Sequence, residues 1–232
     1  MELWYENFGL TENPFTIKPS GELLGHDDQF TSIAAKVSVG EVVFITGRYG
    51  FGKSTMLKNL ISRFKGERRV IYYSCNTSDE TIKFDNLLVN ASKFFGKLLR
   101  LRKKGTILLL DEAQDVNIRS LLLLSHYFNK GFFHSVVLVT SKPEKFDIPR
   151  EIRELIDENK FDIGDISEED AVKIIRRRFS NEQFLPDNVI VQLFLRDKSP
   201  RALLKNCEDL CRDVVDRGKE KSSLADIKRL FE

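Results

Sequence analysis

At 232 residues the chain can hold one large domain, or a core with a small accessory domain, and bury a sizeable interior. Hydrophobic residues make up 41% and charged residues 31%, which excludes an extended disordered polymer. The net charge of +2 gives no whole-chain basis for nucleic-acid binding, so any such site has to be a local patch.

No run of about eighteen apolar residues occurs, so no membrane span is expected. Residues 1–8 lack the basic start and apolar core of a signal peptide. The three cysteines, Cys75, Cys207 and Cys211, form no disulfide framework. Together these features predict a reducing, cytoplasmic setting. Cys207 and Cys211 stand four apart on one helical face and read as small packing residues, because two thiols without a third ligand make a poor metal site.

In chain order, residues 8–15 are aromatic and interrupted by breakers, which predicts a packed loop. A helix is expected from the stretch 23–30 to about Val37. Residues 41–46 form a short apolar run, as a buried strand should. Directly after it come Gly47, Arg48, Tyr49, Gly50, Phe51, Gly52, Lys53 and Ser54, which fit the phosphate-loop pattern G-x-x-x-x-G-K-[ST].

Glycines at these places let the backbone turn its N–H groups inward at an anion. Lys53 supplies a point charge for the β- and γ-phosphates, and the Ser54 hydroxyl can ligate Mg²⁺. Thr55 opens the helix expected over 53–65, whose N-terminus faces the phosphates. Strand, loop and helix in that order predict binding of a nucleoside triphosphate with Mg²⁺. A glycine-rich surface turn would lack this flanking order.

A strand at 69–75 and a long amphipathic helix over 79–101 follow. The next apolar run, 106–111, ends in Asp111 and Glu112. Two acids can simply close a strand. Beside a phosphate loop, however, the first can reach the metal held at Ser54, and the second can act as general base on water. A helix over 117–129, a strand at 135–140, a helix over 148–157 and a strand at 160–163 complete an alternating pattern. The fold class predicted is α/β: five parallel strands with helices on both faces. Past Ile166 the pattern is helical only, with a capping signal at Ser167 and helices after Pro186, after Pro200 and near Ser222. The expected division is residues 1–165 as nucleotide-binding core and 166–232 as helical lid.

This P-loop NTPase core with a C-terminal all-helical lid resembles the AAA+ ATPases. More narrowly it resembles the branch holding the origin-recognition and helicase-loader, ExeA-type and TniB-type ATPases. The resemblance is carried by the loop at 47–54, by Asp111, Glu112, Ala113 and Gln114, by the Ser199-Pro200-Arg201 start of a lid helix, and by Phe8-Gly9-Leu10 with Asn13-Pro14-Phe15. It implies that Arg201 is the lid arginine that reaches the γ-phosphate. It implies a water-orienting residue at the end of strand four, where Thr140 and Ser141 both qualify. It places an adenine contact around Gly25, although His26 stands where the family has an arginine.

The resemblance also implies an arginine finger just before strand five. Residues 157–160 contain no arginine; Arg153, and less so Arg150, lie nearest before them. Basic clusters at Lys97, Arg100, Arg102, Lys103 and Lys104, and at Arg176, Arg177 and Arg178, are candidate nucleic-acid patches or ordinary helix-end charge. No helix-turn-helix follows the lid in this sequence, which argues against an autonomous sequence-reading initiator. Two functions are implied. One is a homo-oligomeric ATP-hydrolysing switch acting on DNA, or on a DNA-bound machine, in replication, recombination or transposition. The other is a nucleotide-dependent protein-interaction module that leaves DNA alone.

Overall fold

The structure is a computed structural model that describes residues 3–18, 23–75, 81–93 and 105–231, with side chains described at all of these except 89–93. The described residues divide into two compact units.

The first unit runs from Asp27 to Ile163, apart from Gly50–Gly52. In order it contains α1 (Asp27–Val39), β1 (Val42–Thr46), α2 (Lys53–Phe64), β2 (Arg69–Ser74), α3 (Phe84–Lys93), β3 (Thr106–Asp111), α4 (Ile118–Asn129), β4 (Phe133–Val139), α5 (Arg150–Ile156) and β5 (Lys160–Asp162). The strands form one five-stranded sheet in the order β2-β3-β4-β1-β5, and every pair is parallel. This is the predicted architecture. Each strand's C-terminal end therefore lies along one edge, where open parallel sheets bind ligands.

The continuous apolar runs have a direct cause. Every residue of β3 is buried, because helices cover both faces of the sheet. On one face Phe44, Leu108, Leu110 and Leu138 pack with Phe84, Leu121, Leu124 and Ile152. Met56, Leu57 and Leu60 form the buried stripe of α2. α4 is capped by Asn117, whose side chain accepts from the Ser120 N–H at 2.8 Å. The long helix predicted over 79–101 is seen as α3, which begins only at Phe84. The rest of that prediction, and the cations Lys97, Arg100, Arg102, Lys103 and Lys104, lie outside the described residues.

The second unit comprises the described residues up to His26, Gly50–Gly52 and the chain from Gly164 onward. Its helices are α6 (Glu168–Arg176), α7 (Asp187–Leu195), α8 (Pro200–Asp216) and α9 (Leu224–Phe231). Ser167 and Ser199 cap α6 and α8, accepting from the Asp170 and Ala202 N–H groups at 3.0 and 3.1 Å. Pro200, lacking an N–H, occupies the first turn of α8. Cys207 and Cys211 are fully buried in the cluster that joins these helices.

The N-terminal segment departs from the expected division, which placed residues 1–165 together. Its aromatics pack in the helical unit. Trp4 stacks on Phe15 with centroids 5.8 Å apart, and Phe8 meets Phe179 at 5.1 Å and Phe184 at 4.5 Å. Arg178 donates to the Thr16 carbonyl at 3.0 Å, tying the loop to the end of α6. Three rings of the segment, Trp4, Phe8 and Phe15, thus bury apolar surface against the helices that the segment could not bury on its own.

One ion cluster staples the end of this unit. Asp226, 2% exposed, accepts from Arg217 and Lys219 at 2.7 Å each and from the Ser223 hydroxyl at 2.6 Å. Burial opposes its charge, but the bonds from Lys219, Ser223 and Arg217 win and hold the carboxyl well below the usual carboxylate range. A folded-state pKa below the unfolded one gives stability that is present above the unfolded value and is lost as pH falls through the folded one. Asp226→Ala should therefore cost about 2 kcal/mol at neutral pH, lowering the melting temperature by roughly 4–8 °C. Thermal melts from pH 7 to 2 should show the gap to the parent protein holding down to about pH 4 and narrowing below it. A gap that stays constant would reject the assignment.

Candidate functional site

In the sheet unit the chain leaves β1 through Gly47, whose φ is 153°. A Cβ there would lie 2.6 Å from the Ile163 carbonyl oxygen, so only glycine lets the two backbones pass. Gly52, at φ 101°, brings the chain into the first turn of α2. Lys53, the first residue of α2, is 6% exposed. Its ammonium donates to the carbonyls of Gly47 at 2.7 Å and Arg48 at 3.0 Å. Burial pulls the Lys53 pKa down, while the charges of Glu112, Asp111 and Asp162 push it back up. Lys53 is thus a buried cation under the charge of three carboxylates. Ser54, beside it at the start of α2, is exposed.

β4 lies between β1 and β3, so the end of β3 sits one strand removed from the loop. Asp111 is the last residue of β3 and is 7% exposed. Its Oδ2 accepts from the Tyr72 hydroxyl and its Oδ1 from the Glu112 N–H, both at 3.0 Å. Burial raises the Asp111 pKa; the two donors and Lys53 offset part of that rise. The same burial and the Asp111 charge push the Tyr72 phenol up to about 12. A carboxylate this desolvated favours a cation at its side, which is the chemistry of a Mg²⁺ ligand.

Glu112 has a left-handed backbone, φ 53° and ψ 48°, uncommon for a residue with a side chain. A single 3-10 turn, Ala113–Asp115, follows it. Its carboxylate accepts from the Gln114 side-chain amide at 2.7 Å and from the Ser141 hydroxyl at 3.2 Å to both oxygens. Thr140, fully buried where β4 ends, donates to the Gln114 side-chain carbonyl at 2.5 Å. The fold therefore gathers Lys53, Asp111, Glu112, Thr140 and Ser141 along one sheet edge. Ser141 touches Glu112 directly and Thr140 does so through Gln114.

The sequence marks Gln114 as part of the acidic motif without giving it a role, and it gives no sign of Tyr72. Gln114 carried a signal, since an amide two residues past the acids falls within one tight turn of them. Tyr72 carried none, because its reach to Asp111 depends on β2 pairing beside β3.

The remaining candidates have these surroundings, each within its own unit. Arg153, on α5, donates to the Ile148 carbonyl at 3.1 Å, and Arg150 pairs with Glu154 at 2.7 Å. In the helical unit, the Arg201 N–H donates to the Gly50 carbonyl at 3.4 Å. Gly25, also in that unit, lies so close to Ile166 that a Cβ would sit 2.8 Å from its Cγ2. Among the described residues no group of three His, Cys, Asp or Glu gathers as a metal cage, and no helix is long and apolar enough to cross a membrane.

A family model described as an AAA domain matches residues 39–162, more than half of the chain. The chain belongs to the AAA domain family. The match runs from the end of α1 to the end of β5, so it covers the five strands with the loop and acidic pair. No curated protein matches the sequence.

Solved structures of similar fold include Drosophila ORC bound to DNA, at TM-score 0.66 and 14% identity, covering 94% of this chain and 63% of that one. The Aeropyrum pernix ORC1 protein in complex with DNA is similar at TM-score 0.68 and 13% identity, covering 94% and 67%. Domain III of the Thermotoga maritima replication initiation protein DnaA is similar at TM-score 0.61 and 21% identity, covering 95% and 96%. At these identities the likeness is one of fold, and this AAA domain protein spans 63% of the Drosophila ORC chain.

Proposed function

We propose that this AAA domain protein is an ATP-hydrolysing switch that works as a homo-oligomer on DNA or on a DNA-bound machine, in replication, recombination or transposition. The observation that carries the hydrolytic part is the Glu112 carboxylate, held by Gln114 and Ser141 next to Asp111, whose charge acts on the buried Lys53. That DNA-bound structures share the fold supports the DNA partner.

In this reading Lys53 exchanges its bonds to the Gly47 and Arg48 carbonyls for phosphate oxygens. The backbone N–H groups of 47–54 and the first turn of α2, with Thr55, receive the rest of the phosphate charge. Ser54 and Asp111 hold Mg²⁺, which when bound neutralises charge on the phosphates. Glu112 takes the proton of the attacking water, and Ser141, which touches Glu112 directly, orients that water. We assign Arg201 to the γ-phosphate, Gly25 to the adenine contact and residues 166–232 to the lid.

A second reading, a nucleotide-dependent module for a protein partner, draws on the arginines. Residues 157–160 contain none, and Arg153, the first candidate for a finger acting on a neighbouring subunit, is tied to its own helix start. Steady-state ATPase rate and solution mass, measured with and without DNA, separate the two. The first reading expects ATP-dependent assembly and hydrolysis that rises with DNA and loses that rise with salt. Hydrolysis and mass indifferent to DNA at low salt would select the second.

A further inference from the structure

We propose that Gln114 is the positioning residue for Glu112, and that Thr140 sets the sense in which its amide points. The bonds run in one direction. The Lys142 N–H donates to Thr140 Oγ1 at 3.0 Å, occupying a lone pair of that oxygen. The Thr140 hydroxyl hydrogen is thereby directed to the Gln114 Oε1 at 2.5 Å. With its oxygen committed, the amide presents Nε2 to the Glu112 Oε2 at 2.7 Å, and the same nitrogen reaches Asp115 Oδ2 at 3.4 Å.

The reverse amide would set its oxygen against a carboxylate oxygen. It would also take away the acceptor of the hydroxyl hydrogen of Thr140, a fully buried residue. Both ends of Gln114 thus agree on one orientation, and the relay ends on an anion, where such chains are strongest. The Ser141 hydroxyl, shared at 3.2 Å between both oxygens, is the looser hold. Because the Glu112 backbone is already in the left-handed region, few side-chain directions remain, and the Gln114 bond selects among them.

This inference rests on Glu112 being the general base, and the experiment separates the two ideas. Gln114→Leu removes the donor, and Gln114→Glu keeps the shape but replaces the donating nitrogen with an oxygen. Either should lower kcat about tenfold while KM and ATP affinity change less than about twofold, the mark of an interaction used in the transition state. Thr140→Val combined with Gln114→Leu should fall no further than the worse single variant, since both cut the same relay.

If Glu112→Gln is inactive while Gln114→Leu and Gln114→Glu hydrolyse ATP at the parent rate, the positioning role is wrong and the base assignment stands. Losses that multiply in the double variant, or that appear in ATP affinity instead of kcat, also overturn it. If Glu112→Gln hydrolyses normally, both ideas fall together.

Discussion

Glu112→Gln should lower ATP hydrolysis by about 10²–10⁴-fold while leaving ATP affinity almost unchanged. The substitution keeps the volume of the side chain and removes only the charge and the proton-accepting power. Its surroundings make the loss sharper. The Gln114 amide and the Ser141 hydroxyl both aim donors at the carboxylate oxygens. An amide in place of the carboxylate keeps one acceptor and turns the other end into a donor facing a donor. The backbone at φ 53° restricts how that end can turn away. Binding, by contrast, uses the loop and Lys53, which the change does not touch. Single-turnover hydrolysis beside equilibrium ATP binding checks this, and a variant that turns over at the parent rate would remove Glu112 from the chemistry.

Lys53→Met should weaken ATP binding by roughly 10²-fold or more, since truncating a buried, hydrogen-bonded charge costs a few kcal/mol of affinity. Its effect on the protein without nucleotide should run the other way. Burial is the largest influence on Lys53 and lowers its pKa, so holding the ammonium inside opposes folding. The sign follows from linkage. Between the lowered folded value and 10.5 the unfolded chain binds more protons, so stability rises with pH there, and below that window the cost is fully present. Methionine fills the same space without charge and leaves melting near neutral pH unchanged or slightly raised. ATP at a hundred times its dissociation constant should stabilise the parent by about 2.7 kcal/mol. A thermal shift of parental size in Lys53→Met would sink the phosphate role of this lysine.

The legible parts of this protein were those written in local chemistry. The loop at 47–54 announces itself because few backbones can cup a phosphate, and the apolar runs before it and before Asp111 announce buried parallel strands. The lateral order β2-β3-β4-β1-β5 was not legible, since periodicity marks a strand but carries nothing about its neighbour. That order brings the end of β4 between the loop and the acids. Thr140 and Ser141 looked equivalent in sequence because adjacent residues at a strand end differ only in the side they face. In the structure one meets Gln114 and the other Glu112. The N-terminal aromatics were legible as a packed loop but not by partner, because Phe179 and Phe184 lie at the far end of the sequence.

That last feature bears on how the molecule is made. The helical unit is built from both ends of the described chain, with nearly all of the sheet unit encoded between them. During synthesis Trp4, Phe8 and Phe15 emerge before the five strands, yet the helices that bury them come only after Ile163. Five strands and their helices can close into a finished body while these three rings still wait in water. At about 5–20 residues per second, the roughly 150 residues in between expose them for about 8–30 s. This segment is thus made well before the helices that bury it, and in that interval it offers a nascent-chain chaperone three unburied rings.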